Sequence, residues 1–125
     1  MKKQISTTAA PGAIGPYSQA IAVGDFIFIS GQIPVNPADG SVPEGIKAQT
    51  AQSIANIKAI LAEAGMSIDN VIKTTVFLAD MNLFGEMNEV YAENFTAPFP
   101  ARSAVAVREL PKQVLVEIET IAAKG

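Results

Sequence analysis

The chain has 125 residues, which suits one domain with a single hydrophobic core. It contains no cysteine and no histidine, which excludes disulfides, thiolate or imidazole metal sites, cysteine nucleophiles and a Ser-His-Asp triad. The net charge is −3 and the nine basic residues are scattered, so we expect no nucleic-acid partner, because binding to phosphates requires a basic surface.

The composition predicts an oligomer. Hydrophobic residues make up 49% of the chain and charged residues only 17%, against about 25% charged residues in typical domains. A small protein with so few charges leaves apolar surface that water does not solvate well. We therefore expect part of this surface to be buried between identical subunits.

The amino-terminal residues predict a cytosolic protein. Met1-Lys2-Lys3 is followed by polar residues and not by the apolar segment of a signal peptide. No apolar run approaches the ~18 residues that a membrane-spanning helix needs. We therefore expect neither secretion nor a membrane partner.

The first third of the chain predicts a short strand, a loop and a hairpin. Ile5 lies in the short strand, and the prolines and glycines of residues 11–16 predict the loop. Gly24-Asp25 is a turn signal between two strands, the second of which begins at residues 26–29. One face of the first of these strands is predicted to carry Tyr17, Gln19, Ile21 and Val23.

Two helices and three strands are predicted after a proline-containing loop at residues 33–45. Gly65 ends the first helix, Asp80 or Asn82 caps the second, and strands are expected at 71–79, 102–107 and 114–122. The apolar positions of both helices recur every three or four residues. They are Ile46, Thr50, Ile54, Ile57, Leu61 and Ala64 in the first helix, and Phe84, Met87, Tyr91 and Phe95 in the second.

This order, β-ββ-α-β-α-ββ, predicts an α+β domain in which both helices lie on one face of a sheet of about six strands. The other face of the sheet would then be left for a partner subunit. In the last strand, residues of one parity are apolar, whereas the other parity mixes apolar and acidic side chains. The mixed set is Leu115, Glu117, Glu119 and Ile121.

Arg102 is the first candidate for chemistry. It is one of two arginines and follows Pro98-Phe99-Pro100-Ala101, which the prolines hold extended. A guanidinium on such a stiff approach can bind a carboxylate with two parallel hydrogen bonds, which lysine cannot do. The alternative is an ordinary ion pair with Glu117 or Glu119 on a neighbouring strand.

Three further groups have two interpretations each. Glu117 and Glu119 either divide acid and base duties or are two solvated carboxylates. Ser30-Gly31 either permits close approach to a ligand or marks a bulge. The amide of Asn88 either contacts a ligand or caps a helix.

Residues 12–15 predict a turn and not a phosphate-binding loop, since no Lys-Ser/Thr pair follows.

Several sequence blocks, in this order and spacing, resemble the RidA (YjgF) family over nearly the whole chain. They are Ala13-Ile14-Gly15-Pro16-Tyr17-Ser18-Gln19, Ser30-Gly31-Gln32-Ile33-Pro34, Lys73-Thr74-Thr75-Val76-Phe77, Asn88-Glu89-Val90-Tyr91, Phe99-Pro100-Ala101-Arg102-Ser103, Leu110-Pro111-Lys112 and Val116-Glu117-Ile118-Glu119.

The resemblance implies a single domain over residues 1–125 with a chorismate-mutase-like fold, a mixed six-stranded sheet with two helices on one face. It also implies a homotrimer with sites in clefts between subunits. The best-known family members are 2-iminobutanoate/2-iminopropanoate deaminases, which convert reactive enamine/imine intermediates to 2-keto acids and ammonia. We therefore expect a deaminase that uses neither a metal nor a cofactor and that binds small 2-imino and 2-keto acids.

By the same resemblance, Arg102 and Glu117 are the catalytic residues: Arg102 binds the substrate carboxylate and Glu117 positions the water. The implied substrate-binding residues are Tyr17, Ser30, Gly31, Asn88 and Ala104. Ala104 departs from many relatives, which carry a cysteine there, but a role through its backbone carbonyl would be retained. Two alternatives stay open: a non-catalytic regulator that binds small carboxylates, and a ribonuclease or translation inhibitor.

Overall fold

A computed structural model describes all residues from 1 to 125 and confirms the predicted order of elements. Three single 3₁₀ turns, at Ile68–Asn70, Met81–Leu83 and Pro111–Gln113, join some of these elements. The strands and helices are β1 (Lys3–Ile5), β2 (Ala20–Val23), β3 (Phe26–Gln32), α1 (Ile46–Glu63), β4 (Val71–Leu78), α2 (Phe84–Asn94), β5 (Ala101–Ala106) and β6 (Val116–Ala123).

The six strands form one mixed sheet in the order β1-β2-β3-β6-β4-β5. Only β4 and β5 are parallel, and every other pair is antiparallel. The last strand of the chain, β6, therefore lies in the middle of the sheet, between β3 and β4. The β5 strand lies at the edge, with one side of its backbone unpaired.

Both helices cover the same face of this sheet, as predicted. The buried residues of α1 and α2 form one hydrophobic cluster with alternate residues of the strands. Ile57 and Leu61 of α1, Met87 of α2, and Val76 and Ile118 of the sheet are all fully buried. Burying such a side chain contributes about 1.5–3 kcal/mol, so this single layer of contacts fixes the helices on the sheet.

The prediction for Tyr17 and Gln19 was wrong, because β2 begins only at Ala20. Gln19 is buried, and its side chain bonds the preceding loop. Its Nε2 donates to the carbonyl oxygens of Thr7 (3.0 Å) and Pro11 (2.7 Å), and its Oε1 accepts from the Thr7 N–H (2.7 Å). These bonds anchor the loop from which Tyr17 projects.

Two element boundaries also differ from the prediction. Asp80 caps the 3₁₀ turn at Met81–Leu83, accepting from the Asn82 N–H at 2.8 Å, and α2 itself has no side-chain cap. The last strand begins at Val116 and not at Val114, because the Val114 N–H bonds the Pro111 carbonyl oxygen at 3.3 Å and the Leu115 N–H bonds Gln49 Oε1 at 2.8 Å, instead of pairing with a strand.

The second face of the sheet is bare in one chain. Phe26, Phe28 and Val105 on this face are 46%, 47% and 45% exposed, and Phe77 and Ile121 are half-buried beside them. Apolar side chains on one continuous face mark an interaction surface. None of the helices has the length and apolar character that crossing a membrane requires.

The core predicts a difference between two isoleucines. Ile57→Ala removes a side chain with no exposed area, and we expect it to lower the free energy of unfolding by about 2–5 kcal/mol. Ile72→Ala is the matched control, since Ile72 is 45% exposed. Denaturant unfolding at one protein concentration measures both variants, and equal losses would contradict this account of the core.

Candidate active site

Arg102 lies on β5 and faces α2. Its register partner on β4 is Thr74, whose side chain is buried on the helix-covered face. Arg102 Nη1 donates a hydrogen bond to Asn88 Oδ1 at 2.7 Å. The guanidinium carbon lies 4.6 Å from the centroid of the Tyr91 ring and 5.4 Å from that of Phe84.

All these partners of Arg102 are neutral. The only ion pair in the chain joins Lys47 and Glu89 on the surface. The alternative in which Arg102 pairs with Glu117 or Glu119 is wrong, because β5 neighbours β4 and not β6, and both glutamates belong to the opposite face of the sheet. Asn88 and the aromatic rings hold the guanidinium without neutralising it, so its positive charge is available to an anion.

A crevice of about 380 Å³ opens beside the guanidinium, within the range of about 300–1,000 Å³ typical of small-molecule sites. The extended segment before β5 supplies one wall, where Phe99 is 59% exposed. A charged fork at the base of a partly apolar crevice suits a small acid with a short side chain. The crevice is lined by Asn88, Tyr91, Ala92, Phe99, Pro100 and Arg102.

Ala104 lies two residues beyond Arg102, on the same side of β5. The Val107 N–H donates to the Leu78 carbonyl oxygen at 2.8 Å, so the odd-numbered residues of β5 direct their backbone N–H and C=O groups towards β4. Because alternate residues of a strand turn their backbone groups to opposite sides, the N–H and C=O of Ala104 lie at the free edge of the sheet. A backbone role at this position is therefore open to alanine.

Glu117 projects from β6 on the bare face and lies over Gly31. A Cβ on Gly31 would overlap the Glu117 carboxylate, so only glycine permits this approach. The register of β3 against β6 shifts between Ile29 and Gln32, which is the bulge that the Ser30-Gly31 pair predicted. The bulge interpretation of this pair is therefore confirmed, and close approach to a ligand stays a prediction.

Tyr17 and Ser30 border the same region. Ser30 Oγ donates to the Ser18 carbonyl oxygen at 2.6 Å, which ties β3 to the loop that carries Tyr17. The Tyr17 side chain is 53% exposed and lines one cavity with Gly31. Tyr17, Ser30, Gly31 and Glu117 thus form a second cluster, separate from the one around Arg102.

The position of Glu117 changes its acidity. Burial raises the pKa of its carboxyl above the ordinary value of 4.5, and the negative charge of Glu119 raises it further. A carboxylate with a raised pKa accepts a proton more readily, so Glu117 is better suited than an ordinary surface glutamate to act as a base.

The two clusters lie on opposite faces of the sheet. Arg102 is in register with Thr74 and, through it, with Thr120, both buried beneath the helices. Glu117 lies three residues away from Thr120 along β6 and points to the bare face. Within one chain, the guanidinium and the carboxylate therefore do not face the same crevice.

Sequence reasoning missed the surroundings of Arg102. Tyr91 was assigned to the buried stripe of α2, which is correct, but its ring also lies under the guanidinium. The signal available in the sequence was a hydroxyl on an otherwise apolar stripe. No group of three or more His, Cys, Asp or Glu side chains is arranged to hold a metal ion.

A family model described as Endoribonuclease L-PSP matches residues 7–124. The chain belongs to this family, also known as RidA (YjgF). Among its RidA relatives, a RutC family protein of Pyrococcus horikoshii is 59% identical over 125 residues, covering 99% of each chain. A 2-iminobutanoate/2-iminopropanoate deaminase of Escherichia coli K12 is 50% identical over 127 residues, again covering 99% of each.

Solved structures of RidA proteins confirm the fold. A putative endoribonuclease of Thermotoga maritima superposes with a TM-score of 0.96 at 48% identity, covering 100% of this chain and 99% of that one. Escherichia coli TdcF with bound serine superposes with a TM-score of 0.95 at 48% identity, covering 98% of this chain and 99% of that one.

The raised pKa of Glu117 predicts how the stability of this RidA chain depends on pH. The folded chain binds this proton more tightly than the unfolded chain, so stability falls as pH rises from about 4.5 through the folded-state pKa. Glu117→Gln removes this dependence. We expect the variant to be more stable than the wild type at pH 7, with the difference shrinking at pH 4.

Denaturant midpoints at the two pH values measure this effect. Glu63→Gln, at the exposed end of α1, is the matched control and should show no such change. A difference between Glu117→Gln and the wild type that is the same at both pH values would contradict the assigned pKa direction.

Proposed function

We propose that the chain is a 2-iminobutanoate/2-iminopropanoate deaminase, hydrolysing small enamine/imine intermediates to 2-keto acids and ammonia. The observation that carries this proposal is the guanidinium of Arg102, bound to Asn88 but paired with no carboxylate, in a crevice sized for a small acid. The name of the Escherichia coli relative at 50% identity and the serine bound to TdcF support the same substrate class.

We further propose that each site is assembled from two chains. Arg102, Asn88 and Ala104 of one subunit would meet Tyr17, Ser30, Gly31 and Glu117 of the next. The opposite orientations of the two clusters within one chain support this arrangement. The bare apolar face of the sheet and the exposed side chains of Ile14 and Phe99 (85% and 59% exposed) support such contacts. A closed homotrimer with three equivalent clefts satisfies this arrangement.

The reaction suits these residues. Arg102 binds the substrate carboxylate through two parallel hydrogen bonds and fixes the imine carbon in the cleft. Water adds to the carbon of the protonated imine while Glu117 accepts one of the water protons. The resulting carbinolamine takes that proton back on nitrogen. As the C–N bond breaks, Glu117 accepts the hydroxyl proton, which leaves the 2-keto acid and ammonia, and the ammonia then takes up this proton as ammonium.

Backbone groups of the proposed cleft can stabilise the steps of this reaction. The backbone of Ala104 at the free edge and that of Gly31 beneath Glu117 are available to hydrogen-bond the substrate and the water. Because the protonated imine carbon is already electrophilic, this chemistry requires neither a metal nor a covalent nucleophile. A positioned general base contributes about 10²- to 10⁴-fold to such a step.

The two proposed catalytic residues predict different kinetic defects. Arg102→Ala should abolish imine hydrolysis with little loss of fold, and Arg102→Lys should not restore it, because lysine lacks the planar fork. Glu117→Gln should lower kcat by about 10²-fold or more while changing KM less, since a base acts in the transition state.

A coupled assay measures this, in which a serine or threonine dehydratase generates the imine and 2-keto acid release is timed. Thr50→Val is the control, since Thr50 is fully buried on α1 and its hydroxyl bonds only the Ile46 carbonyl oxygen. Normal turnover by Arg102→Ala would overturn the assignment, and an unchanged kcat in Glu117→Gln would make Glu119 the next candidate for the base.

The two-chain site predicts complementation. Arg102→Ala chains should be inactive alone and Glu117→Gln chains strongly impaired, but an interface between them can combine an intact Arg102 with an intact Glu117. In mixed trimers assembled at equal ratio, about a quarter of the clefts should be intact. Refolding the two variants together and assaying the mixture measures this recovery. No recovery in verified mixed assemblies would contradict a shared cleft.

Two alternatives have specific outcomes in these experiments. A regulator that only binds carboxylates would bind 2-oxobutanoate through Arg102 without accelerating the coupled assay. A ribonuclease is suggested by the description of the family, but the net charge of −3 and the scattered basic residues disfavour it. RNA binding that weakens steeply with salt would favour it instead.

A further inference from the structure

A buried pair of hydroxyl groups, which the proposed reaction does not use, lies next to Arg102. The Tyr91 hydroxyl and Thr74 Oγ1 lie 2.7 Å apart in a hydrogen bond. Tyr91 is 4% exposed and Thr74 is fully buried. Thr74 is also the register partner of Arg102 on the adjacent strand, and the Tyr91 ring lies 4.6 Å from the guanidinium carbon. The three residues are therefore all connected: a hydrogen bond joins Thr74 to Tyr91, the Tyr91 ring contacts Arg102, and strand pairing joins Arg102 to Thr74.

These contacts join helix α2 to the strand pair of β4 and β5, which carries Arg102. Tyr91 belongs to α2 and Thr74 to β4, so their hydrogen bond fixes the distance between the helix and the strand next to Arg102. On its other side, the Tyr91 ring stacks on Phe95, with centroids 4.3 Å apart and an angle of 24° between the rings. The hydroxyl bond and the stacking together leave the ring little freedom to turn.

Two hydroxyl groups are not needed to fill this part of the core. Phenylalanine and valine would occupy nearly the same volume, and the polar pair contributes only about 0.5–1.5 kcal/mol net as a hydrogen bond. A satisfied polar pair in a low-dielectric core does, however, select one geometry among several that apolar packing tolerates. The group whose geometry depends on this pair is the guanidinium.

We propose that Tyr91 and Thr74 are positioning residues for Arg102: their hydrogen bond fixes the Tyr91 ring, and the ring holds the guanidinium so that its fork faces the crevice. Asn88 holds Nη1 from one side, and Tyr91 supports the group from another. Because every contact is neutral, the fork is oriented without losing its charge. This inference rests on the proposed carboxylate-binding role of Arg102, but not on imine hydrolysis.

Binding of 2-oxobutanoate, measured by calorimetry, tests the pair. We expect Tyr91→Phe and Thr74→Val each to weaken binding about 3- to 10-fold, because the guanidinium then adopts its binding geometry for only a fraction of the time. The double variant should be no weaker than either single one, because both remove the same bond. The matched control is Thr50→Val, which deletes a fully buried hydroxyl bonded to the Ile46 carbonyl at 2.8 Å.

A spectroscopic measurement separates positioning from stability. The chain has only two arginines, Arg102 and Arg108, so an Arg108→Lys background leaves a single arginine Nε–H signal in a ¹⁵N spectrum. We expect this signal to shift or broaden in Tyr91→Phe and in Thr74→Val, and to stay unchanged in Thr50→Val.

Each result decides the inference. Wild-type affinity and an unchanged arginine signal in Tyr91→Phe and Thr74→Val would overturn it, and so would equal losses in Thr50→Val. If the wild type binds 2-oxobutanoate but hydrolyses no imine, the proposed function fails, and the same comparison still tests the positioning. If hydrolysis occurs, KM should rise in the two variants more than kcat falls.

Discussion

The two helices cover one face of the sheet and leave the other bare, and this asymmetry decides where every functional group can lie. On the covered face, at the edge strand β5, Arg102 reaches the surface beside α2. On the bare face, Glu117 emerges from β6 over the bulge at Gly31. A sheet covered on both faces would bury one of the two groups, whereas a second chain placed on the bare face can bring them together.

The electrostatics of the two groups are opposite and suit opposite tasks. Arg102 is held by an amide oxygen and two aromatic rings, so it keeps a full charge with which to bind an anion. Glu117 is partly desolvated next to Glu119, which raises its pKa and favours uptake of a proton. Binding and proton transfer are thereby assigned to different chains in the proposed cleft, and neither group neutralises the other within one chain.

The sequence could predict the features that depend on local pattern. The apolar spacing of α1 and α2 and the alternation of β6 matched the burial in the fold, since periodicity reports directly which side of an element faces the core. Features that depend on individual hydrogen bonds were predicted less well. Gln19 was assigned to a strand because its position alternated correctly, but β2 begins one residue later and the side-chain amide of Gln19 bonds the preceding loop.

By itself, the sequence determined the α+β class, the bare sheet face and the family, because composition, periodicity and motif spacing are properties of the linear chain. Only the tertiary structure decided which strands are neighbours. The central position of β6 and the edge position of β5 separate Arg102 from both glutamates and place Tyr91 and Thr74 beneath it. Strand order depends on contacts between residues far apart in the chain, and no local pattern records such contacts.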